Sequence, residues 1–238
     1  MNLENTLANH RLLKLDANLL GDDYVVGDIH GNTSRLLEQL DEMGFDRTKD
    51  RLICVGDLID RGPESGAAIE LLAEPWFFSV LGNHEYFMLS GLKYGNSKHK
   101  MQWLQNGGEW IASSNPALWP KWFELLCTLP IAIELQHKSG RTYGVVHADF
   151  PGYEWQQIHE FGEADLERCL WSRSKFKERS EHLVAGIDAI YHGHSINGTV
   201  SFADSGDKSA SAALQLGNRF YVEPGVYKGA RFVIVKLS

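Results

Sequence analysis

Three apolar runs, each broken by a glycine and a polar metal-type side chain, constrain this sequence more than any other feature. Tyr24-Val25-Val26 runs into Gly27-Asp28-Ile29-His30-Gly31, and Leu52-Ile53-Cys54-Val55 into Gly56-Asp57-Leu58-Ile59-Asp60-Arg61-Gly62. Trp76 to Leu81 runs into Gly82-Asn83-His84-Glu85. Short apolar runs bounded by turn residues read as buried strands. Helical spacing follows the first two: Leu36, Leu37, Leu40 and Met43, capped by Asn32 or Thr33 and stopped by Gly44, then Ala67, Ala68, Ile69, Leu71 and Leu72 up to Pro75. Strand, turn and helix in repetition predict an α/β protein whose sheet is mostly parallel.

Beyond Glu85 the chain to Leu129 reads as helical and rich in aromatics, with Trp103, Trp110, Trp119, Trp122 and Phe123. No lysine or arginine cluster accompanies them, so they are expected to pack a helical layer and not to stack nucleic-acid bases. From Pro130 the pattern turns to strands at Ile131–Leu135 and Thr142–Val146, the second ending in His147-Ala148-Asp149. A helix at Glu163–Trp171 leads to Ser172-Arg173. Further strands are expected at Ala189–Tyr191, Thr199–Phe202, Arg219–Val222 and Phe232–Val235, with a surface loop from Asp204 to Ala213. The leucines before Asp23 lack periodicity, so Met1 to Asp22 is expected to be an irregular arm preceding one domain, 23–238.

Composition narrows the function. The formal net charge is −8 and charged residues make up 23% of the chain. No basic run is present, which argues against nucleic-acid binding. No stretch approaches the roughly 18 apolar residues of a spanning helix, and the N-terminus lacks the apolar core of a signal peptide. Cys54, Cys127 and Cys169 are an odd number, far apart and set among apolar neighbours. They read as buried free thiols, which makes the cytoplasm the expected compartment.

In an α/β sheet, the loops past the strand ends converge on one crevice. The residues at five such ends here are Asp28 and His30, Asp57, Asn83 with His84, His147, and His194 within Tyr191-His192-Gly193-His194-Ser195. Aspartates, an amide and imidazoles form a metal-ligand set too rich for one ion, and a bridging carboxylate suits two cations about 3.5–4 Å apart. Oxygen and nitrogen donors without thiolate point to Mn²⁺, with Fe or Zn²⁺ as the other possibilities. His192 reads as a packing residue, and His10, His99, His137, His159 and His182 as surface residues. Asp149 admits two readings, a residue orienting a ligand or a solvated turn aspartate.

The ordered set Gly27–Gly31, Gly56–Gly62, Gly82–Glu85, His147 and Gly193-His194-Ser195 resembles the calcineurin-like metallophosphoesterases. Within them it is similar to the bacterial and phage lambda-type serine/threonine protein phosphatases. Trp76-Phe77, Asn106-Gly107-Gly108-Glu109-Trp110, His147-Ala148-Asp149 and Trp171-Ser172-Arg173 look like further features of that subgroup. The resemblance spans about Tyr24 to Leu237. It implies an α/β (α+β) fold with a central mixed β-sandwich flanked by helices. It also implies Asp28 and His30 on a first metal, Asp57 bridging both, and Asn83, His147 and His194 on a second. His84 would be the general acid held by Asp60, and Arg61 and Arg173 would clamp phosphate. Phosphorylated proteins or peptides are the implied substrates, attacked directly by a water activated between the ions. Departures fall around the crevice: Leu81 where the subgroup has arginine, Glu223-Pro224-Gly225 for its Asp-Thr-Gly, and a longer stretch from Ser201 to Asn218. Substrate choice therefore stays open between phosphoserine or phosphothreonine, phosphotyrosine, and dinucleotide polyphosphates of the diadenosine tetraphosphate kind.

Overall fold

The computed structural model describes residues 10–197 and 213–238. Its strands form two mixed sheets. The smaller sheet contains β2 (Asp23–Val26), β3 (Arg51–Cys54), β4 (Phe77–Ser79) and β10 (Ile234–Lys236) in the order β10-β2-β3-β4. The larger contains β1 (Leu12–Leu15), β5 (Ala132–Gln136), β6 (Thr142–Val146), β7 (Ala189–His192), β8 (Leu214–Leu216) and β9 (Arg219–Tyr221), ordered β1-β5-β6-β7-β9-β8. β2, β3 and β4 are mutually parallel, as are β6, β7 and β9; β5/β6, β8/β9 and β10/β2 run antiparallel.

Strand alternation divides the core. Val25, Ile53, Ile133, Val145 and Tyr191 pack in one cluster drawn from both sheets. Their neighbours Val26, Cys54, Ala132, Val146 and Ile190 face a second cluster that also holds helix residues. Side chains of adjacent strand residues point to opposite faces, so each buried strand serves two cores. The result is a β-sandwich with helices on its outer faces. These include α1 (Thr33–Glu42), α2 (Ser65–Glu70), α3 (Asn83–Met88), α4 (Ser97–Gln105), α5 (Trp119–Leu126), α6 (Glu163–Trp171) and the short α7 (Ser174–Lys177). α3 continues as a π-helical turn, Leu89–Lys93.

Several elements differ from expectation. Leu12–Leu15 is not irregular: it pairs in parallel with β5 as an edge strand, Leu12 opposite Ala132. Its exposure pattern runs from half-buried to exposed to buried. An edge strand covered on one side only carries little periodic signal. β8 was not foreseen either; its three residues turn through Gly217 and Asn218 into β9. The expected strand Thr199–Phe202 and the expected loop Asp204–Ala213, save Ala213 itself, lie outside the described residues. Asn32 occupies the N-cap position of α1, yet its side chain caps nothing there; Nδ2 donates instead to the carbonyls of Ile29 and His30. Cys54 and Cys169 are buried free thiols, while Cys127 is partly exposed. His137, expected at the surface, is buried beside Ser139 Oγ, 2.7 Å from its Nδ1.

Candidate metal centre

Both sheets present carboxyl ends at the same edge. β2, β3 and β4 deliver Asp28, His30, Asp57 and Asn83 there, while β6 and β7 deliver His147 and His194. Backbone contacts clamp the ends together: Gly193 N–H donates to the His147 carbonyl at 2.8 Å, and His194 N–H to both oxygens of Asp28 at 3.2 and 3.0 Å. Gly193 is obligatory at this approach, because a methyl group there would lie 1.9 Å from Asp28 Oδ1.

The backbone at this edge is held in an unusual conformation. Six described non-glycine residues have positive φ, and five of them are His30, Asp57, Asp60, Arg61 and His194. L-residues in the left-handed region each cost roughly 1–2 kcal/mol, so a cluster of them marks a site the surrounding structure over-determines.

Three imidazoles are each tied by one nitrogen to a main-chain carbonyl. His30 Nδ1 is 3.0 Å from the Ile59 oxygen, His147 Nδ1 is 2.8 Å from Val55, and His194 Nε2 is 3.1 Å from Trp171. In the neutral ring the tied nitrogen donates, leaving the other nitrogen's lone pair for the site. Burial holds the imidazolium pKa of His30 down to about 3; burial and then His147 hold that of His194 down to about 2. Neutral imidazole is the metal-binding form.

Asp57 stands between two groups of donors. Its Oδ1 lies 3.3 Å from His147 Nε2, and its Oδ2 lies 3.9 Å from His30 Nε2. Candidate ligand atoms gather within 4.8 Å in two sets that share it, one with His30 and His84, the other with His147 and His194. Asn83 Oδ1 is 3.0 Å from His147 Nε2, and Asp28 Oδ2 is 3.9 Å from His30 Nε2. With His147 neutral, its Nε2, Asn83 Oδ1 and Asp57 Oδ1 are three acceptors facing one another without a donor. A cation satisfies that arrangement, so the donor set fits metal ions. The carboxylates agree. Burial and then Glu223 push the Asp28 carboxyl well above its ordinary range. Burial works against ionising Asp57 too, but His147 and then His84, when protonated, outweigh it and hold its pKa low, and bound cations would supply that charge in their place.

His84 is handled differently. Its Nδ1 is 2.6 Å from Asp60 Oδ2, and its Nε2 is 3.0 Å from Arg61 Nη2. Asp60, fully buried, also accepts from the indole N–H groups of Trp103 at 2.7 Å and Trp110 at 2.6 Å. Those tryptophans pack the helical layer as expected, and in addition lock the carboxylate that holds His84. Burial alone lowers the His84 pKa, but Asp57 and then Asp60 outweigh it and the net shift is upward. Arg61 donates to His30 Nε2 at 2.6 Å as well, and its guanidinium lies 4.5 Å over the Tyr227 ring. Arg173, half-buried, donates to the His194 carbonyl at 2.6 Å and to Ser195 Oγ at 3.3 Å. An open cavity of about 300 Å³ is lined by Asp57, Arg61, Asn83, His84, Arg173 and His194, with Phe87, Asn106 and Trp171 at its side.

Glu85 follows Asn83 and His84 in the sequence with no role evident from the motif alone. It is fully buried and its carboxylate accepts from the N–H groups of Leu58 at 2.8 Å, Asp57 and Gly82 at 3.0 Å, and Ile59 at 3.2 Å. It thereby fixes the Asp57 turn to the start of α3. Its place three residues after the cap Gly82 was the available signal. Burial and then Asp57 raise its carboxyl pKa to about 7. Replacing Glu85 by alanine leaves four buried donors without their acceptor, at about 1–3 kcal/mol each when unsatisfied. A loss of at least about 3 kcal/mol is expected, read as a lower midpoint of urea unfolding; a midpoint within error of wild type would refute this role. Glu223, at one of the departures from the family pattern, accepts from Asp28 N–H at 3.2 Å and Gly225 N–H at 2.6 Å. His192 is buried with Nδ1 on the Val146 carbonyl, in keeping with a packing role. Asp149 is 2% exposed, which rules out the solvated turn aspartate.

Comparison with known proteins agrees with this geometry. The family model described as calcineurin-like phosphoesterase matches residues 24–198, and the chain belongs to that family. It is 33% identical to the serine/threonine-protein phosphatase 1 of Salmonella typhimurium over 90% of this chain and 91% of the relative. The symmetrical bis(5'-nucleosyl)-tetraphosphatase of Nitrosomonas europaea is 42% identical, but over 28% of this chain and 26% of its own. A crystal structure described as a candidate diadenosine tetraphosphatase superposes with a TM-score of 0.64 at 20% identity, covering 96% of this chain and 97% of its own. The fold is thus that of the calcineurin-like phosphoesterases, and the protein is a phosphoesterase hydrolase of a family that uses a binuclear metal centre.

Proposed function

We propose that this protein is a metal-dependent phosphomonoesterase acting on phosphoserine and phosphothreonine in proteins, with phosphotyrosine as a further substrate. The observation that carries the reading is Asp57, whose two oxygens face two separate histidine groups. Asp28, His30 and Asp57 would hold one ion; Asp57, Asn83, His147 and His194 would hold the other. Oxygen and imidazole donors without thiolate suit Mn²⁺, with Fe or Zn²⁺ as alternatives. When bound, such a pair neutralises phosphate charge and lowers the pKa of water toward neutrality.

The chain's own residues do the rest. Arg61 and Arg173 line the cavity and bind phosphate oxygens, a task for which the planar guanidinium fork is suited. His84, oriented through Nδ1 by Asp60, presents Nε2 to the leaving oxygen and gives it a proton; general acid catalysis of this kind contributes about 10²–10⁴-fold. Resemblance to a serine/threonine phosphatase over nine-tenths of both chains supports a protein substrate. A second reading, hydrolysis of dinucleotide polyphosphates, rests on the shorter likeness to the tetraphosphatase.

The test is phosphate release by the Mn²⁺-loaded protein from phosphoserine, phosphothreonine and phosphotyrosine peptides, p-nitrophenyl phosphate and diadenosine tetraphosphate. Phosphopeptide turnover with an inert dinucleotide is expected. Rapid cleavage of the dinucleotide with inert phosphopeptides would establish the second reading instead.

A further inference from the structure

Asp149 lies outside the roles proposed above, yet its contacts surround one of them. Its Oδ2 accepts from Ser172 Oγ at 3.2 Å, Ser174 Oγ at 3.3 Å and Lys175 N–H at 3.4 Å. These residues flank Arg173 on both sides. The opposite oxygen, Oδ1, has no hydrogen-bond partner among the described residues, and neither do His192 Nε2, Arg219 Nε and Tyr221 Oη.

Strand geometry brings three of these residues, His192, Arg219 and Tyr221, to one face. His192 of β7 is in register with Tyr221 of β9, and Arg219 lies two residues before Tyr221, so all three side chains share one face of the sheet. The rings of His192 and Tyr221 stack at 5.3 Å. Asp149, just past β6, feels the charge of Arg219, and Tyr221 feels both. The four residues are at most 2% exposed. They offer a donor at Arg219 Nε, acceptors at Asp149 Oδ1 and His192 Nε2, and a hydroxyl able to do either.

We propose that Asp149 is a positioning residue for Arg173, its buried Oδ2 fixing the turn that carries the arginine from residues on both sides of it. The inference rests on the phosphate-binding role given to Arg173. A buried carboxylate that accepts from residues before and after the arginine restricts that turn to one arrangement. Arg173 then meets the His194 carbonyl in a set orientation and keeps its remaining guanidinium N–H groups for phosphate.

The experiment measures inorganic phosphate binding to the Mn²⁺-loaded protein by calorimetry, alongside metal stoichiometry. Asp149→Asn is expected to weaken phosphate about tenfold, the lower end for partners that orient a binding group, with metal content unchanged. In an Arg173→Ala background it should add nothing further, because contact pairs acting as one are not additive. Ser172→Ala with Ser174→Ala should reproduce the loss, and decides the matter if Asp149→Asn does not fold. Unchanged phosphate affinity in these variants, or a full additional loss in the Arg173→Ala background, overturns the inference. If Arg173→Ala itself leaves phosphate binding unchanged, the role of Arg173 fails, and this inference with it.

Discussion

Asp57→Asn is expected to abolish binding of both metal ions and to reduce turnover far beyond the roughly 10–100-fold that outer partners of a metal contribute. The reason is its placement: one oxygen faces His147 and the other His30, so no other side chain stands in both groups. The amide keeps the shape, and its oxygen can still accept from His84 N–H, which lies 3.1 Å from Asp57 Oδ1. It loses the negative charge that two cations share. Thermal stability separates this from simple unfolding. An ion bound at 100 times its dissociation constant stabilises by about 2.7 kcal/mol, or roughly 5–11 °C at the 2–4 °C per kcal/mol usual for this chain length. Wild type should show that increment on adding Mn²⁺ to chelator-treated protein, and Asp57→Asn should not. Without ions the variant should be no more stable than wild type, since the attraction of His147 and then His84 that holds the Asp57 carboxyl low is lost with its charge. Two ions per chain retained in the variant would sink the bridging assignment.

His84→Asn should give the opposite dissociation: kcat lower by about 10²–10⁴-fold, with metal content, metal-dependent stability and phosphate affinity close to wild type. The contrast is a real test, because His84 stands near His30 and Asp57 within possible ligand distance. What sets it apart is its hydrogen bonding. The three proposed histidine ligands each spend one nitrogen on a neutral carbonyl, whereas His84 spends its own on a carboxylate. A carboxylate partner favours the imidazolium once phosphate draws Arg61 away from Nε2; that form has no lone pair for a metal and carries a proton to give. Loss of an ion from His84→Asn, measured by elemental analysis, would make it a ligand and break the division of labour.

Much of this candidate site is legible in the amino-acid sequence, because its parts sit at strand ends that the sequence marks by apolar runs and glycine turns. Asp28, His30, Asp57, Asn83, His147 and His194 are all found at the one edge where those ends meet. The pieces that escaped notice act through contacts distant in sequence. Trp103 and Trp110 lie 43 and 50 residues from the Asp60 they bind, and their indole N–H groups are invisible in an apolar pattern. Glu223 reaches Asp28 across 195 residues. The edge strand β1 escaped because its pattern is set by a neighbour, β5, more than a hundred residues away.

The amino-acid sequence by itself determined the strand–turn–helix order, the identity of the candidate donor residues and the absence of thiolate among them, since these depend on local periodicity and side-chain chemistry. Only the tertiary structure decided which nitrogen of each histidine is free, which oxygen of Asp57 faces which group, and which backbone is driven to positive φ. Those are outcomes of packing two sheets face to face with their carboxyl ends together, where distant carbonyls, indoles and carboxylates compete for the same few hydrogen bonds.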